Sequence, residues 1–398
     1  LRNTHRGAVA AADSSLSRDP ATPDHGDLDV LFPRRSALAA VKSVVALAAH
    51  AGEVRRTVSA AVRAHGGSRP AALWRLHRLR RRGFTYDEAL RDGMLDPAIP
   101  SSALPGYASR HVALIAQRRV NPGTLEDLTT EKAIFYRYCA AIGLPTPRTV
   151  AIVHRDTAGW AEGDRILTDG SDFAALIHEV GADLVVKPSD GGKGVFVRVL
   201  RYEDGVLYEG DEPRPPLALW DELRSHPAHP CFIVQERLRN HPDLSRIVPS
   251  QALNTIRLVV FQPLSGPPEV SQAVIRLGLG GAVIDNFGDG SDGNGYCEID
   301  PETGRLGPLR MAGPDGIGFV ESADIPGTGA RIEGVRLPMW DEAKALAFSA
   351  MPYFLPNRTI GWDVAITDDG PVIVEANREW TPFPNPNLLA SIARIATR

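Results

Sequence analysis

Residues 183–200 read Asp183-Leu-Val-Val-Lys187-Pro-Ser189-Asp190-Gly191-Gly192-Lys193-Gly194-Val-Phe-Val-Arg198-Val-Leu200. Two apolar runs rich in β-branched residues, Leu184 to Val186 and Val195 to Leu200, flank three glycines. The pattern predicts a strand, a glycine-rich turn and a second strand. Glycine adopts positive φ without steric cost and lets a backbone approach a ligand closely. Successive N–H groups in such a turn can cradle phosphate oxygens, with Lys187 and Lys193 adding point charges. No GxxxxGK[ST] is present, so this is not a Walker A loop. A glycine-rich hairpin turn with surface lysines is the plainer reading of the same residues.

Downstream, strands dominate. Cys231–Gln235, Thr255–Phe261, Val270–Arg276, Val364–Ile366 and Val372–Glu375 read as strands, and Asp341–Met351 as a helix. Strands mixed with helices in this order predict an α+β fold with antiparallel sheets. The turn Asp368-Asp-Gly370 joins two strands that carry Asp363, Glu375 and Asn377. Glu375 and Asn377 are two apart and so share a strand face. Three converging oxygen donors suit Mg²⁺, which takes few protein ligands and completes its shell with phosphates and water. A solvent-facing polar edge is the alternative. The apolar flanks argue against it, since a buried unpaired carboxylate is costly. Asn254-Thr-Ile-Arg257, Arg276 and Asp285-Asn286 form a third element. An arginine inside an apolar run needs an anionic partner, either a phosphate or carboxylate ligand or a structural salt bridge.

Upstream, the grammar is helical. Thr129 or Thr130 is expected to cap a helix with Ile134, Phe135, Tyr138, Cys139 and Ile142 on one face, which puts Lys132 on its first turn. Earlier still, Ser36 is expected to cap a helix carrying Leu38, Val41, Val44, Val45 and Ala48. A second helix runs from Pro70 to Arg82, and Thr85-x-x-Glu88 opens a third as a capping box. Arg75, His77, Arg78, Arg80, Arg81 and Arg82 lie beside a Leu73/Trp74/Leu76/Leu79 stripe. They predict a solvated face, with a site for nucleic acid, an anionic carrier or a membrane surface as the alternative. Residues 1–35, rich in Ser, Asp, Pro and Arg, read as a mobile arm.

A chain of 398 residues exceeds what one core usually serves. The formal net charge of -4 gives no global field toward nucleic acid or anionic membrane. Cys139, Cys231 and Cys297 form no CxxC pair. They are expected to be free thiols, in keeping with a reducing cytoplasm. No apolar stretch reaches the roughly 18 residues that a transmembrane helix needs.

Taken in order, these pieces resemble the ATP-grasp superfamily: Lys132, Lys187 to Gly194, the strand ending Gln235-Glu236, Asn254-Thr-x-Arg257, then Asp363 and Glu375-x-Asn377. Within it, Asn254-Thr-Ile-Arg257, Asp285-Asn286-Phe287, Gly361-Trp-Asp363 and Glu375-Ala-Asn377 resemble the sugar-transfer associated family, which is also similar to glutamate-ligase-like proteins. The resemblance implies two α+β lobes gripping ATP behind a helical N-terminal region. The expected divisions are an arm at 1–35, helices at 36–120, a first lobe with a glycine-rich lid at 121–235 and a second lobe with the metal site at 236–398. It further implies that Lys132 and Lys187 meet the α- and β-phosphates. Ser189, Asp190, Gly191, Gly192, Lys193 and Gly194 would form or flank the lid. Gln235, Glu236 and Leu238 would line the adenine slot, Asn254 would assist nucleotide binding, and Asp363, Glu375 and Asn377 would hold Mg²⁺. Arg257 and Arg276 would steady the transferring phosphoryl group or a substrate carboxylate. Some ATP-grasp ligases carry an arginine where Gly361 stands here, so that role passes to Arg257, Arg276 or Arg358. Arg378, Glu379 and Trp380 would face the acceptor. The implied reaction joins a small-molecule acid to an amine through an acyl phosphate, with transfer of phosphate to a hydroxyl as one alternative and a nucleotide-binding module without turnover as another.

Overall fold

The computed structural model describes residues 51–192, 194–288 and 293–397. The arm expected at 1–35, the helix expected from Ser36, and Lys193 lie outside the described residues.

Three helices come first among the described residues. α1 (Ala51–His65), α2 (Arg69–Arg80) and α3 (Tyr86–Arg91) pack around Val58, Leu76, Leu79, Phe84 and Met94. α2 begins one residue before Pro70: Ser68 Oγ accepts from Ala71 N at 3.4 Å, and proline sits in the first turn, where its missing N–H costs nothing. The α3 capping box forms as the sequence predicts, with Glu88 N donating to Thr85 Oγ1 at 3.0 Å and Thr85 N to Glu88 Oε2 at 3.2 Å.

Arg75 of α2 and Arg82, two residues beyond its end, depart from both expectations. Arg75 is buried and donates to the carbonyls of Met94, Asp96 and Ile99 at 3.3, 2.7 and 2.6 Å. Arg82 donates to those of Leu104, Pro105 and Tyr107 at 2.9, 2.7 and 2.8 Å. Prolines 97, 100 and 105 keep this segment irregular, so its carbonyls lack ladder partners, and guanidinium donors take their place. Leu73 and Trp74 are exposed, and only Leu76 and Leu79 of the expected stripe reach the core.

α4 (Arg110–Val120) and a short α5 (Asp127–Thr130) lead to α6 (Lys132–Ala141). Thr129 and Thr130 end α5 rather than cap α6. The first turn of α6 is closed from a distant strand: Lys132 N donates to Ser189 O at 2.9 Å and Ala133 N to Ser189 Oγ at 3.0 Å. Its buried face is Phe135, Tyr136 and Cys139, while Ile134 is exposed.

Next come β1 (Thr149–His154), β2 (Gly159–Ala161), β3 (Arg165–Leu167), α7 (Gly170–Val180) and β4 (Leu184–Pro188). They are followed by β5 (Arg198–Glu203), β6 (Val206–Glu209), β7 (Glu212–Pro213), α8 (Pro216–Ser225) and β8 (Cys231–Glu236). These strands make an antiparallel sheet in the order β3-β2-β1-β8-β4-β5-β6-β7. α7 and α8 pack against it through Phe173, Ile177, Leu219, Trp220 and Leu223. β5 starts at Arg198, three residues later than the sequence predicts. Gly194 and Phe196 have φ of 74° and 58°, which a strand cannot contain, so the turn extends through residue 197.

The second sheet is built from β9 (Thr255–Phe261) after the short α9 (Pro242–Ile247), then β10 (Glu269–Leu277), β11 (Gly295–Ile299), β12 (Leu306–Ala312) and β13 (Phe319–Ser322). α10 (Trp340–Ala350), β14 (Thr359–Thr367), β15 (Gly370–Asn377) and α11 (Leu388–Thr397) complete the chain. Its order is β13-β12-β11-β10-β9-β14-β15, again antiparallel. β9 and β14 are buried along their whole length. α6 and α10 pack on this sheet, with Phe135, Cys139, Trp340 and Ala347 against Trp362 and Ile373. The fold is thus α+β, two antiparallel sheets with helices before and between them. The three cysteines are free thiols. No helix among the described residues is long and apolar enough to cross a membrane.

Candidate active site

Strand register assembles the site. Asp363 on β14 lies opposite Arg257 on β9 and opposite Glu375 on β15. Residues directly opposite in an antiparallel pair share a face, so three charged side chains form one row across three strands. Asn377, two residues beyond Glu375, joins the same face. β4 of the other sheet delivers Lys187, and the first turn of α6 delivers Lys132. All six line one cleft of about 510 Å³, within the range of about 300–1,000 Å³ usual for small-molecule sites. Gly191, Gly192 and Gly194 line it from the glycine-rich turn, and Gln235, Glu236 and Leu238 from the end of β8 and the residues after it. Arg276 enters from β10.

Inside the cleft Asp363 and Glu375 are already paired. Arg257 grips Asp363 with both Nε and Nη2, the latter at 3.1 Å from Oδ2, and Arg276 Nη2 donates to the same Oδ2 at 2.9 Å. Burial works to raise the Asp363 carboxyl, and the Arg257 and Arg276 guanidiniums outweigh it, holding the group below the usual carboxylate range. Arg276 also lies 3.5 Å from Asp285, whose Oδ2 accepts from Thr255 N at 2.7 Å and from its hydroxyl at 2.5 Å. Burial pushes the Asp285 carboxyl up despite Arg276. Lys132 pairs with Glu375 Oε1 at 3.0 Å and donates to the Gly191 carbonyl. Glu375 is therefore not the unpaired carboxylate that the sequence suggested. Lys187 donates to the Tyr136 hydroxyl at 2.9 Å, which in turn donates to the Val374 carbonyl. Burial lowers the Lys187 pKa to about 8.

Three expected nucleotide contacts lie off the cleft wall. Ser189 Oγ accepts from Ala133 N and donates to Glu131 Oε2 at 2.8 Å, so it joins the end of β4 to α6. Asp190 Oδ1 lies 2.7 Å from His229 Nδ1. Asn254 is buried and its Oδ1 accepts from Gly278 N at 2.9 Å, tying β9 to β10. Of the expected acceptor residues only Glu379 lines the cleft. Arg378 is buried toward Glu126 at 3.2 Å, and Trp380 Nε1 donates to Thr359 Oγ1 at 3.1 Å. Arg358 donates to the Gln262 carbonyl at 3.0 Å.

Gly361 has a packing reason. A Cβ there would lie 2.7 Å from the Trp380 Cβ and 3.2 Å from Arg257 Cδ. No arginine fits at that position, and the guanidinium instead arrives from β9. Tyr136 was missed by sequence reasoning, although its spacing of four from Lys132 places both on one side of a helix.

The metal expectation rests on the donor set. Asn377 Nδ2 donates to the Gly361 carbonyl at 3.3 Å, which leaves its amide oxygen as the atom free to ligate. Glu375 adds a carboxylate beside it. These are oxygen donors of the kind Mg²⁺ takes in small number, so the pair fits. Both Asp363 oxygens, by contrast, already accept from arginine. Among the described residues no cluster of three His, Cys, Asp or Glu side chains has metal-binding geometry.

Residues 114–385 match the family described as sugar-transfer associated ATP-grasp. The chain belongs to that family. Among solved structures, this ATP-grasp chain is similar to the ATP-grasp ligase PsnB complexed with minimal precursor, at 16% identity and a TM-score of 0.35 over 70% of this chain and 63% of that one. It is similar to D-alanyl-alanine synthetase A from Vibrio cholerae at 10% identity and a TM-score of 0.38, over 66% and 59% of the two chains. D-alanine–D-alanine ligase from Bacillus anthracis gives 14% identity and a TM-score of 0.35 over 70% and 76%. The ATP-grasp chain thus spans less than two thirds of the length of the first two. No curated protein matches the sequence.

Proposed function

We propose that this ATP-grasp protein is an ATP-dependent carboxylate–amine ligase. One observation carries the reading: Lys132, Lys187, Asp363, Glu375 and Asn377, far apart in sequence, line one cleft of nucleotide size. Phosphoryl transfer asks little of a protein beyond positioning and charge neutralisation, and those are the groups assembled here.

In this reading the apolar wall of Pro147, Val185 and Leu238, with Gln235, takes the adenine. Lys132 and Lys187 neutralise phosphate oxygens, and the Tyr136 hydroxyl fixes the direction of Lys187. Backbone N–H groups of the glycine-rich turn close over the triphosphate. Glu375 and Asn377 would hold Mg²⁺, which would supply positive charge to offset that developing on the transferred phosphoryl group. Asp363 serves as the counter-ion that aims Arg257 and Arg276. Those two guanidiniums then face the substrate carboxylate and the phosphoryl group it receives. Attack by that carboxylate gives an acyl phosphate and ADP, and an amine displaces phosphate.

The test is product analysis of the purified protein with ATP, Mg²⁺ and panels of acids and amines. A ligase releases ADP and inorganic phosphate together with an amide. ADP with a phosphorylated acceptor would replace the ligase reading by a kinase, and nucleotide binding without ADP would remove turnover altogether. Glu375→Gln is expected to lower ADP release at least 100-fold while the circular dichroism spectrum stays unchanged. Wild-type rates in that variant would overturn the metal assignment.

A further inference from the structure

We infer that the nucleophile of this reaction is a primary amine with an apolar body, bound as its ammonium by Asp92, which accepts the proton that leaves before the nitrogen attacks, and with its carbon skeleton laid against Phe287, Phe319 and Phe383. The inference rests on the ligase reading above, and it brings in a residue outside the matched segment 114–385.

Asp92 follows α3 directly, and its side chain lines the cleft while only 11% exposed. Among the described residues its ion-pair partner is Arg110 Nη2 at 3.6 Å, beyond hydrogen-bond length. A carboxylate taken this far out of water without close donors is costly. Burial accordingly raises its pKa to about 7, although Arg110 opposes the rise. A ligand ammonium would supply the missing donors and offset the loss of water.

Asp92 is held in place from both sides. Gly318 N donates to the Leu90 carbonyl at 3.0 Å, and a Cβ on Gly93 would lie 3.2 Å from Gly318 Cα, so α3 is seated on the start of β13 without slack. Arg110 N donates to Glu88 Oε1 at 2.6 Å and fixes the start of α4. Pro382 and Pro384 border a small adjoining cavity together with Asp92.

The facing wall is aromatic. Phe383, Phe287 and Phe319 surround the fully buried Tyr296 with ring centroids at 4.6, 5.0 and 5.7 Å. All three phenylalanines line the cleft and are half-buried. Gln272 holds Phe383 by a reciprocal pair, Nε2 to its carbonyl at 2.8 Å and Oε1 from its N–H at 3.0 Å. Rings and prolines give a hydroxyl-rich ligand few partners, and unpaired hydroxyls are penalised on burial. A second acid would meet Asp92 as a like charge. Glu379, the other carboxylate on this wall, is engaged by Arg118 at 2.7 Å.

The test uses 2-phenylethylamine and its neutral isostere 2-phenylethanol as probes. Their affinities for the full chain are measured by ligand-observed NMR, with and without a non-hydrolysable ATP analogue and Mg²⁺. The amine is expected to bind at least tenfold tighter than the alcohol. Asp92→Asn is expected to erase that difference and leave affinity for the ATP analogue unchanged, which also reports that the variant is folded. Phe383→Ala is expected to weaken both probes. Equal binding of amine and alcohol to the wild type would overturn the inference without recourse to any variant. So would a preference that survives in Asp92→Asn. Failure of the ATP analogue to bind the wild type strikes the ligase reading instead, and the amine-to-alcohol ratio without nucleotide still decides this one.

Discussion

Lys187 is charged at neutral pH but loses its proton near pH 8, because burial outweighs the attraction of Glu375 and Asp363. The protonated form is the one that attracts phosphate. On the proposed phosphate role, ATP affinity is therefore expected to be highest well below pH 8 and to fall as pH rises through it. Titration of a fluorescent ATP analogue between pH 6.5 and 9.5 checks this, and the slope is expected to vanish in Lys187→Ala. That variant loses a charge-assisted contact of about 1.5–3 kcal/mol, so its affinity at pH 7 should drop roughly 10- to 100-fold. Unchanged affinity would contradict the phosphate role. The cleft positions of Glu375 and Asn377 were legible because strand parity fixes which side chains share a face, and that of Lys187 because a strand carries it into the glycine-rich turn. Tyr136 and Asp92 were not. Asp92 reaches the cleft, and Tyr136 reaches Lys187 behind its wall, through helix packing, which no local pattern encodes. The pairing of Asp363 with two arginines was equally hidden, since it depends on register between strands more than 80 residues apart.

At the scale of elements, side-chain donors replace missing backbone order. Arg75 serves three carbonyls of the proline-broken segment. Arg75→Met keeps the apolar stem and removes the donors. It is expected to cost about 2–3 kcal/mol, read as a lower urea midpoint with unchanged m-value. A neutral outcome would return the residue to the solvated face that charge patterning suggested. Ser189→Ala removes the α6 cap and should cost about 1 kcal/mol, with little direct effect on ATP contacts because the hydroxyl points away from the cleft. β9 was easy to read as an apolar run and α3 from its capping box, whereas only Val364–Ile366 of the longer β14 was read. The late start of β5 was not, because Val195 and Phe196 look like strand residues and only the left-handed turn excludes them. β11 to β13 escaped notice for a related reason: glycine, proline and charged residues interrupt their alternation.

Across the whole molecule, one chain brings three bodies of structure to a single cleft: the N-terminal helices supply Asp92, the first sheet Lys187 and the second sheet Glu375. A ligand that binds only the folded form stabilises it by mass action, by about 2.7 kcal/mol at a concentration 100 times its Kd. Mg-ATP analogue is expected to raise the thermal midpoint of the wild type clearly, and that of Lys187→Ala far less at the same concentration.

Lys132 touches both the Gly191 carbonyl and Glu375. If the triphosphate recruits that ammonium, it frees two groups in one event: the loop proposed to cover the nucleotide and the acid proposed to take the cation. Nucleotide and Mg²⁺ are then thermodynamically cooperative, each tightening the other by the same factor. In Lys132→Met, where nothing is left to exchange, this part of the coupling should be lost and only the part due to direct contact between Mg²⁺ and phosphate should remain.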